Sequence, residues 1–272
     1  MTVDDLLAEG RLAEALAQLQ HAIAADPANP QLRRQLIDLL FFMGRFRDIS
    51  HHLAQLPLDD TPAAADSERR LHRLLRSERQ RSVLGRPPRI FPEPPPPHAS
   101  RRQQAWQWLR RAQPEQALHA IDAADARSPM VHGFIDGRPF DQLRDADDRF
   151  ASVLEVFWGG EYLWVPWEAL HKVVLAPPAG WLDQLYRPAV LTLRDGSRRD
   201  VDLPLVYPAS YRGEGVFALG LETDYICPDR GPTRCLGGKL LIVGDDEEQR
   251  LADCHFIEVS GAPPATGRRS LA

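Results

Sequence analysis

The sequence contains no uninterrupted run of about 18 apolar residues, so no segment is expected to cross a membrane. Cysteine is scarce: Cys227, Cys235 and Cys254 are the only three in 272 residues, and their odd number and irregular spacing do not predict a disulfide scaffold. Proteins without a disulfide framework are typical of reducing compartments. With 43% hydrophobic and 26% charged residues, the chain has an ordinary globular composition, and we expect a cytoplasmic protein.

Lysine is almost missing as well, since Lys172 and Lys239 are the only two. The positive charge therefore comes from arginine, and it is unevenly placed. Residues 66–111 contain twelve arginines against four acidic residues, a balance of +8, whereas the whole chain carries −5 and the remainder therefore −13. Such separation predicts either a positive binding face or ion pairing within the protein. Nucleic-acid binding through residues 69–111 is one alternative, but few aromatic residues interleave with the arginines, so a solvated helix face is favoured.

Recognisable catalytic motifs are few. Gly237-Gly238-Lys239 resembles the end of a phosphate-binding loop, but the earlier glycine and the following Ser or Thr are missing. An acidic cluster consists of Asp141, Asp145, Asp147 and Asp148. These carboxylates could hold a divalent cation. A metal-dependent enzyme that uses the Asp141–Asp148 cluster is therefore one alternative function. The spacing is not that of a calcium loop, so we favour helix capping or pairing with Arg144 and Arg149, and we predict no metal and no cofactor.

The first sixty residues contain two copies of one pattern, offset by 34 positions. The first copy has Gly10, Leu12, Ala15, Leu16, Ala22, Ile23 and Pro27, and the second has Gly44, Phe46, Ile49, Ser50 and Leu56. This period and these small and apolar positions are typical of tetratricopeptide-type repeats, which stack into a curved surface that binds helices or peptides. A plain bundle of three or four helices is the alternative, because such repeats usually need three or more copies.

Apolar residues at intervals of three and four predict the helices of this half. Residues 26–30, Asp-Pro-Ala-Asn-Pro, end one helix and start the next, and Gly44 can end a helix in the left-handed conformation. Further helices are expected near 63–84, 100–112 and 114–126. We therefore predict a helical repeat domain over residues 1–128. Its proline-rich residues 85–98 predict an extended spacer, anchored by Ile90 and Phe91.

From about Met130 the pattern changes to alternating apolar residues, which predicts strands. Residues 153–158 and 162–167 flank a glycine turn and predict an antiparallel hairpin rich in tryptophan. Other strands are expected over 187–193, 198–205, 216–221, 239–243 and 255–259, and short helices over 167–174 and 181–186. We predict a strand-rich domain over 129–260 and a disordered tail over 261–272. The fold class is thus α+β multidomain, with an N-terminal α-α superhelix before a mostly antiparallel sheet.

Several short motifs occur in a characteristic order after the repeat half. They are Asp147-Asp148-Arg149-Phe150, Leu154-Glu155-Val156, Tyr162-Leu163-Trp164-Val165-Pro166, Trp181-Leu182-Asp183-Gln184-Leu185, Arg187-Pro188-Ala189 and Leu203-Pro204-Leu205-Val206-Tyr207. Together with the repeats, they resemble the ImpE/SciE/TagJ family over roughly residues 1–260. The prolines at 92–97 and the arginine-rich helix at 69–81 depart from the family pattern.

The resemblance implies a cytoplasmic, non-enzymatic adaptor of the bacterial type VI secretion system. Family members are associated with the small subunit of the contractile sheath, whose helix they hold, and through it with the ATPase that recycles contracted sheath. We therefore expect a sheath-subunit helix to lie in a groove of the repeat half. The candidate partner contacts, expected to be exposed beside the apolar stripes, are Arg11, Arg33, Phe41, Phe42, Arg45 and Arg47. The resemblance carries over no catalytic residue, and we expect no nucleic-acid or membrane partner.

Overall fold

The structure is a computed structural model that describes residues 1–56, 61–82 and 87–260. Helices occupy the first half of the described chain. They are α1 (Val3–Ala8), α2 (Leu12–Ala25), α3 (Pro30–Phe42), α4 (Phe46–Leu53), α5 (Pro62–Ser82), α6 (Pro97–Arg110), α7 (Pro114–Asp125) and, within the second half, α8 (Gly215–Ala218). The tail over 261–272, predicted to be disordered, lies outside the described residues.

Strands dominate the second half. They are β1 (Arg89–Ile90), β2 (His132–Ile135), β3 (Arg138–Phe140), β4 (Leu143–Asp145), β5 (Val153–Trp158), β6 (Glu161–Pro166), β7 (Leu170–Leu175), β8 (Tyr186–Leu193), β9 (Arg198–Pro204), β10 (Thr223–Ile226), β11 (Arg234–Gly237), β12 (Leu240–Val243), β13 (Glu247–Arg250) and β14 (Phe256–Ser260). The main sheet has the order β1-β6-β5-β9-β8-β7-β14-β2-β3. Its pairs are antiparallel apart from β1 with β6. Smaller sheets join β10 with β11 and β13-β12-β4. The predicted helical region followed by a mostly antiparallel sheet is confirmed.

Local sequence signals set the boundaries of the repeat helices. The side chain of Asn29 accepts hydrogen bonds from the backbone N–H groups of Gln31 and Leu32 and so caps α3, which begins at Pro30. Gly44, with φ +64°, separates α3 from α4 in the left-handed conformation that the sequence predicted.

One apolar cluster joins the helices to one face of the main sheet. It contains Leu39 and Phe41 of α3, Leu74 of α5, Trp164 of β6 and Tyr186 of β8. A second cluster, which includes Val156 and Val165, follows the alternate positions of the strands and therefore lies on the opposite face. The division into domains at 128/129 remains a prediction, and the first cluster packs across it.

Two sequence predictions in the second half are wrong. Residues 216–221 do not form a strand, because α8 occupies Gly215–Ala218 and consecutive residues, Ala218 and Leu219, are buried where a strand would alternate. Residues 167–174 do not form a helix: a single 3-10 turn at Trp167–Ala169 leads directly into β7. The β-branched Val173 and Val174 favour the strand, which pairs with both β8 and β14.

The proline-rich segment adds an edge to the main sheet. Strand β1 pairs in parallel with β6, and Ile90 is buried there. The ring of Phe91 packs against Trp158 with 5.5 Å between centroids. Among residues 1–56, 61–82 and 87–260, every helix is too short or too polar to span a bilayer.

Candidate functional site

The apolar side of α3 faces the protein's own second half. Phe41 and Phe42 are each only 1% exposed, and the ring of Phe41 meets that of Tyr186 edge-on at 5.6 Å. Helix α3 also contacts the 3-10 turn Trp181–Gln184. The prediction that these two phenylalanines are exposed is therefore wrong. The C-terminal half covers the apolar surface on which a partner helix was expected to lie.

Arg11 and Arg45 occupy equivalent positions in the two repeats, 34 residues apart. Each immediately precedes a helix, and each forms an ion pair at 2.5 Å with the acidic residue three positions later, Glu14 or Asp48. Both arginine side chains are about two-fifths exposed. Because both pairs lie at the surface, they leave charged groups accessible on both repeats.

The other two predicted arginines are also accessible. Arg33 is partly exposed and donates hydrogen bonds to the side chain of Gln55 and to the carbonyl oxygen of Pro27. Arg47 is exposed on α4, and in the part of the chain that the structure describes no carboxylate lies within ion-pair distance of it. All four arginines are thus available at the surface, and their contact with a partner stays a prediction.

Two glycines at matching repeat positions bring the repeats against the second half. Gly10 has φ +74° and Gly44 has φ +64°. A Cβ atom on Gly44 would lie 2.2 Å from Cδ2 of Tyr211, and one on Gly10 would lie 2.9 Å from Cγ1 of Val216. Each turn therefore needs glycine for two reasons. The backbone is left-handed there, and the segment around residues 211–216 approaches too closely for a side chain.

A buried ion cluster lies beneath this interface, centred on Glu155 of β5. Arg81 of α5 donates from Nε and Nη2 to the two carboxylate oxygens at 2.9 and 2.8 Å. Lys239 places its Nζ 2.8 Å from Oε2, and the hydroxyl of Tyr162 donates to Oε1. Burial disfavours the charged form of Glu155. The positive charges of Arg81 and Lys239 outweigh this effect of burial and hold the pKa of Glu155 well below its usual range.

The cluster continues through Lys239 to the second small sheet. Its Nζ also lies 3.0 Å from Oδ2 of Asp145, which accepts a hydrogen bond from the hydroxyl of Tyr207 at 2.8 Å. Burial raises the pKa of Asp145, and Lys239 partly offsets this effect. The cluster thus ties α5, the main sheet and the β13-β12-β4 sheet together, and removing one charge would leave its partner buried and unpaired.

Two other acidic residues of the 141–148 region also serve internal contacts, whereas Asp141 is exposed at the surface. Asp147 forms an ion pair with Arg149 at 2.6 Å and accepts a hydrogen bond from the backbone N–H of Cys235. Asp148 pairs with Arg144 at 2.6 Å. Within residues 1–56, 61–82 and 87–260, no group of three or more His, Cys, Asp or Glu is placed to hold a metal ion. Asp147 and Asp148 therefore form the ion pairs with Arg149 and Arg144 that the sequence analysis favoured.

Several arginines of the 66–111 segment are directed inward. Arg70 reaches Asp183 at 2.7 Å and Asp202 at 2.8 Å, and Arg102, only 1% exposed, donates to Ser152 Oγ at 2.7 Å. Together with Arg81 they join helices to the second half. Part of the positive charge of the segment is thus neutralised by ion pairs within the protein. This agrees with one of the two interpretations that the sequence left open, the other being a positive binding face.

The sequence analysis did not identify the buried ion cluster, although two signals pointed to it. Glu155 interrupts an otherwise apolar strand, and the apolar stripe of α5 through Leu74 and Leu75 continues in Glu78 and Arg81. A charged residue at a position whose neighbours are buried predicts a buried partner of opposite sign. Its identity could not be derived from spacing, because Lys239 lies 84 residues beyond Glu155.

Comparisons with known proteins agree with this architecture. A tetratricopeptide repeat model matches residues 6–77, and the model of the ImpE protein family matches residues 137–258. A crystal structure of protein VPA1032 from Vibrio parahaemolyticus has the same fold, with a TM-score of 0.84 and 22% identity, over 95% of this chain and 97% of that one.

A curated relative is similar along nearly the whole chain. The type VI secretion system accessory component TagJ of Pseudomonas aeruginosa is 31% identical over 95% of this chain and 91% of its own length. This similarity spans both the helical repeats and the sheet region that the ImpE model matches. The chain therefore belongs to the ImpE family of proteins that includes the type VI secretion accessory component TagJ.

Proposed function

We propose that this protein is a non-enzymatic accessory component of a type VI secretion system that binds a helix of the small sheath subunit. The observation that carries the proposal is the 31% identity to the accessory component TagJ over 95% of the chain. Stacked helix pairs at the N-terminus support a role in holding another protein. The role needs no catalytic group, which is consistent with the internal pairing of the buried carboxylates.

The outward surface of α2 and α4 is the surface we assign to the partner. The inner apolar side is covered by the second half, so a partner helix must bind elsewhere on the repeats. Arg45 and Arg47 are exposed there, with Arg33 nearby on α3 and Arg11 at the equivalent repeat position. Arginines at the rim of such a surface would attract acidic residues flanking the partner helix and set the orientation of binding.

Isothermal titration calorimetry with the recombinant small sheath subunit tests this assignment. Binding should release or absorb heat with a negative heat-capacity change, because apolar surface is buried. The double variant Arg45→Glu/Arg47→Glu should weaken binding about tenfold, mainly through slower association. The matched control Arg127→Glu/Arg198→Glu changes the net charge equally at exposed sites outside the two repeats. No heat at several temperatures, or equal weakening by the control, would contradict the proposal.

The connection to the sheath-recycling ATPase is proposed to pass through the sheath subunit. In a pull-down with purified components, the ATPase should be retained by this protein only when the small sheath subunit is present. Retention of the ATPase by this protein alone would replace the indirect link by a direct one. Cell fractionation should find the protein in the cytoplasm, where the proposed complex would form.

A further inference from the structure

A cleft of about 470 Å³ opens between α6, the turn at Ser210–Arg212 and the β10-β11 hairpin. Trp106, Tyr211 and Leu236 supply its apolar lining, and Arg110, Arg212 and Arg234 supply positive charge. No Asp or Glu is among its described lining residues. No residue of α2 or α4 is among its described lining residues.

These three arginines differ from those that pair with carboxylates inside the protein. Arg70, Arg81 and Arg102 are satisfied by carboxylates of the same protein. Within residues 1–56, 61–82 and 87–260, no carboxylate lies within ion-pair distance of Arg110, Arg212 or Arg234, while Arg81 and Arg149, which also line the cleft, are already paired. The cleft therefore holds three positive charges whose counter-charge is not supplied by the described part of the chain.

Aromatic rings sit beneath two of the guanidinium groups. The guanidinium carbon of Arg110 lies 5.4 Å from the ring centroid of Trp106, and that of Arg212 lies 5.7 Å from the ring of Tyr211. Contacts of this kind hold an arginine in place while its N–H groups remain free to donate to a carboxylate. The side chain of Ile226, 38% exposed, extends the apolar wall.

We propose that this cleft binds a protein segment in which acidic side chains alternate with apolar ones. Its carboxylates would meet the arginines in bidentate pairs, and its apolar side chains would cover Trp106 and Leu236. Three arginines match a short segment with two or three carboxylates. A long polyanion such as nucleic acid is disfavoured, because the chain as a whole carries a net charge of −5 and repels it. This inference is independent of the sheath-subunit surface proposed above.

Fluorescence polarisation of the full-length protein tests the proposal with defined probes. The first is a fluorescein-labelled peptide in which leucine and glutamate alternate, and the second has glutamine in place of every glutamate. We expect the acidic peptide to bind at least about tenfold more tightly than the glutamine peptide at 150 mM salt. The Debye length is then about 8 Å, so only charges in close contact still attract each other strongly. Equal affinity for the two peptides would overturn the proposal.

Substitutions locate the binding. Arg212→Glu/Arg234→Glu should weaken the acidic peptide at least about tenfold, whereas Arg45→Glu/Arg47→Glu on the repeats should leave its affinity unchanged. Circular dichroism and an unchanged melting temperature establish that the variants are folded. Loss of peptide binding in the repeat variant instead, or tighter binding of a labelled oligothymidine that the cleft variant abolishes, would overturn the proposal. Because sheath-subunit binding is measured separately with the same variants, failure at one surface is distinguishable from failure at the other.

Discussion

Replacing Gly44 by alanine tests how the repeats are joined to the second half. The added Cβ would lie 2.2 Å from Cδ2, 2.4 Å from Cγ and 2.7 Å from Cε2 of the Tyr211 ring. That ring cannot easily move aside, because it packs edge-on against Phe46 with 5.5 Å between the centroids. Either the ring or the turn must therefore shift, and the contact between the repeat and the second half would be disturbed.

The expected cost has two parts. Alanine at φ +64° adopts a left-handed conformation that costs about 1–2 kcal/mol. Forcing a methyl group into an occupied site adds about 1–3 kcal/mol. We therefore expect Gly44→Ala to lower the free energy of unfolding by about 2–5 kcal/mol. Gly196→Ala is the matched control, since Gly196 has φ +81° and nothing within 4 Å of its added Cβ, and it should cost only the first part.

Urea unfolding followed by tryptophan fluorescence measures both variants, and a double-mutant cycle isolates the contact. With Tyr211→Ala already present, Gly44→Ala should cost no more than Gly196→Ala does, because the obstructing ring has gone. If Gly44→Ala and Gly196→Ala are equally destabilising in the wild-type background, the close contact between the repeat and Tyr211 does not exist in solution, and this reasoning is refuted.

Two further substitutions address buried charge. Glu155→Gln should lower the free energy of unfolding by about 3–5 kcal/mol in urea titrations, because Arg81 and Lys239 lose their counter-charge in the core, and an unchanged midpoint would contradict the buried cluster. Burial raises the pKa of Asp38 from 3.8 to about 7, so the stability this carboxyl contributes is fully present below pH 3.8 and is lost as the pH rises through 7. Asp38→Asn should therefore gain stability relative to the wild type by about 1.4 kcal/mol for each pH unit between pH 4 and 7, and the difference should stay constant above pH 7. Parallel pH profiles for Asp38→Asn and the wild type in urea titrations would disprove the shift.

Local signals in the sequence predicted much of the architecture. The 34-residue offset predicted the repeats, and the Asn29-Pro30 and Gly44 signals predicted where helices begin and end. The alternation around the glycine turn at 159–160 predicted the antiparallel β5-β6 hairpin. Each of these features depends on residues within a few turns or one hairpin of each other, which is the range over which spacing carries information.

Features that depend on distant contacts could not be predicted in the same way. The exposure of Phe41 and Phe42 was misjudged because an apolar residue on a repeat helix can face a ligand or the protein's own sheet, and only the fold decides between them. The region 216–221 is a short apolar run, which is compatible with either a buried strand or a buried helical turn, and the structure has α8 at Gly215–Ala218. The pairing of Arg81 with Glu155 joins residues 74 positions apart.

Amide hydrogen exchange of the full-length protein, with and without saturating small sheath subunit, tests most directly whether the outward side of the repeats holds the partner. Exchange should slow in α2 and α4, at residues 12–25 and 46–53, and stay unchanged in β8 and β9, which lie in the main sheet. Unchanged exchange in both helices at saturating sheath subunit would contradict the proposed role of this surface.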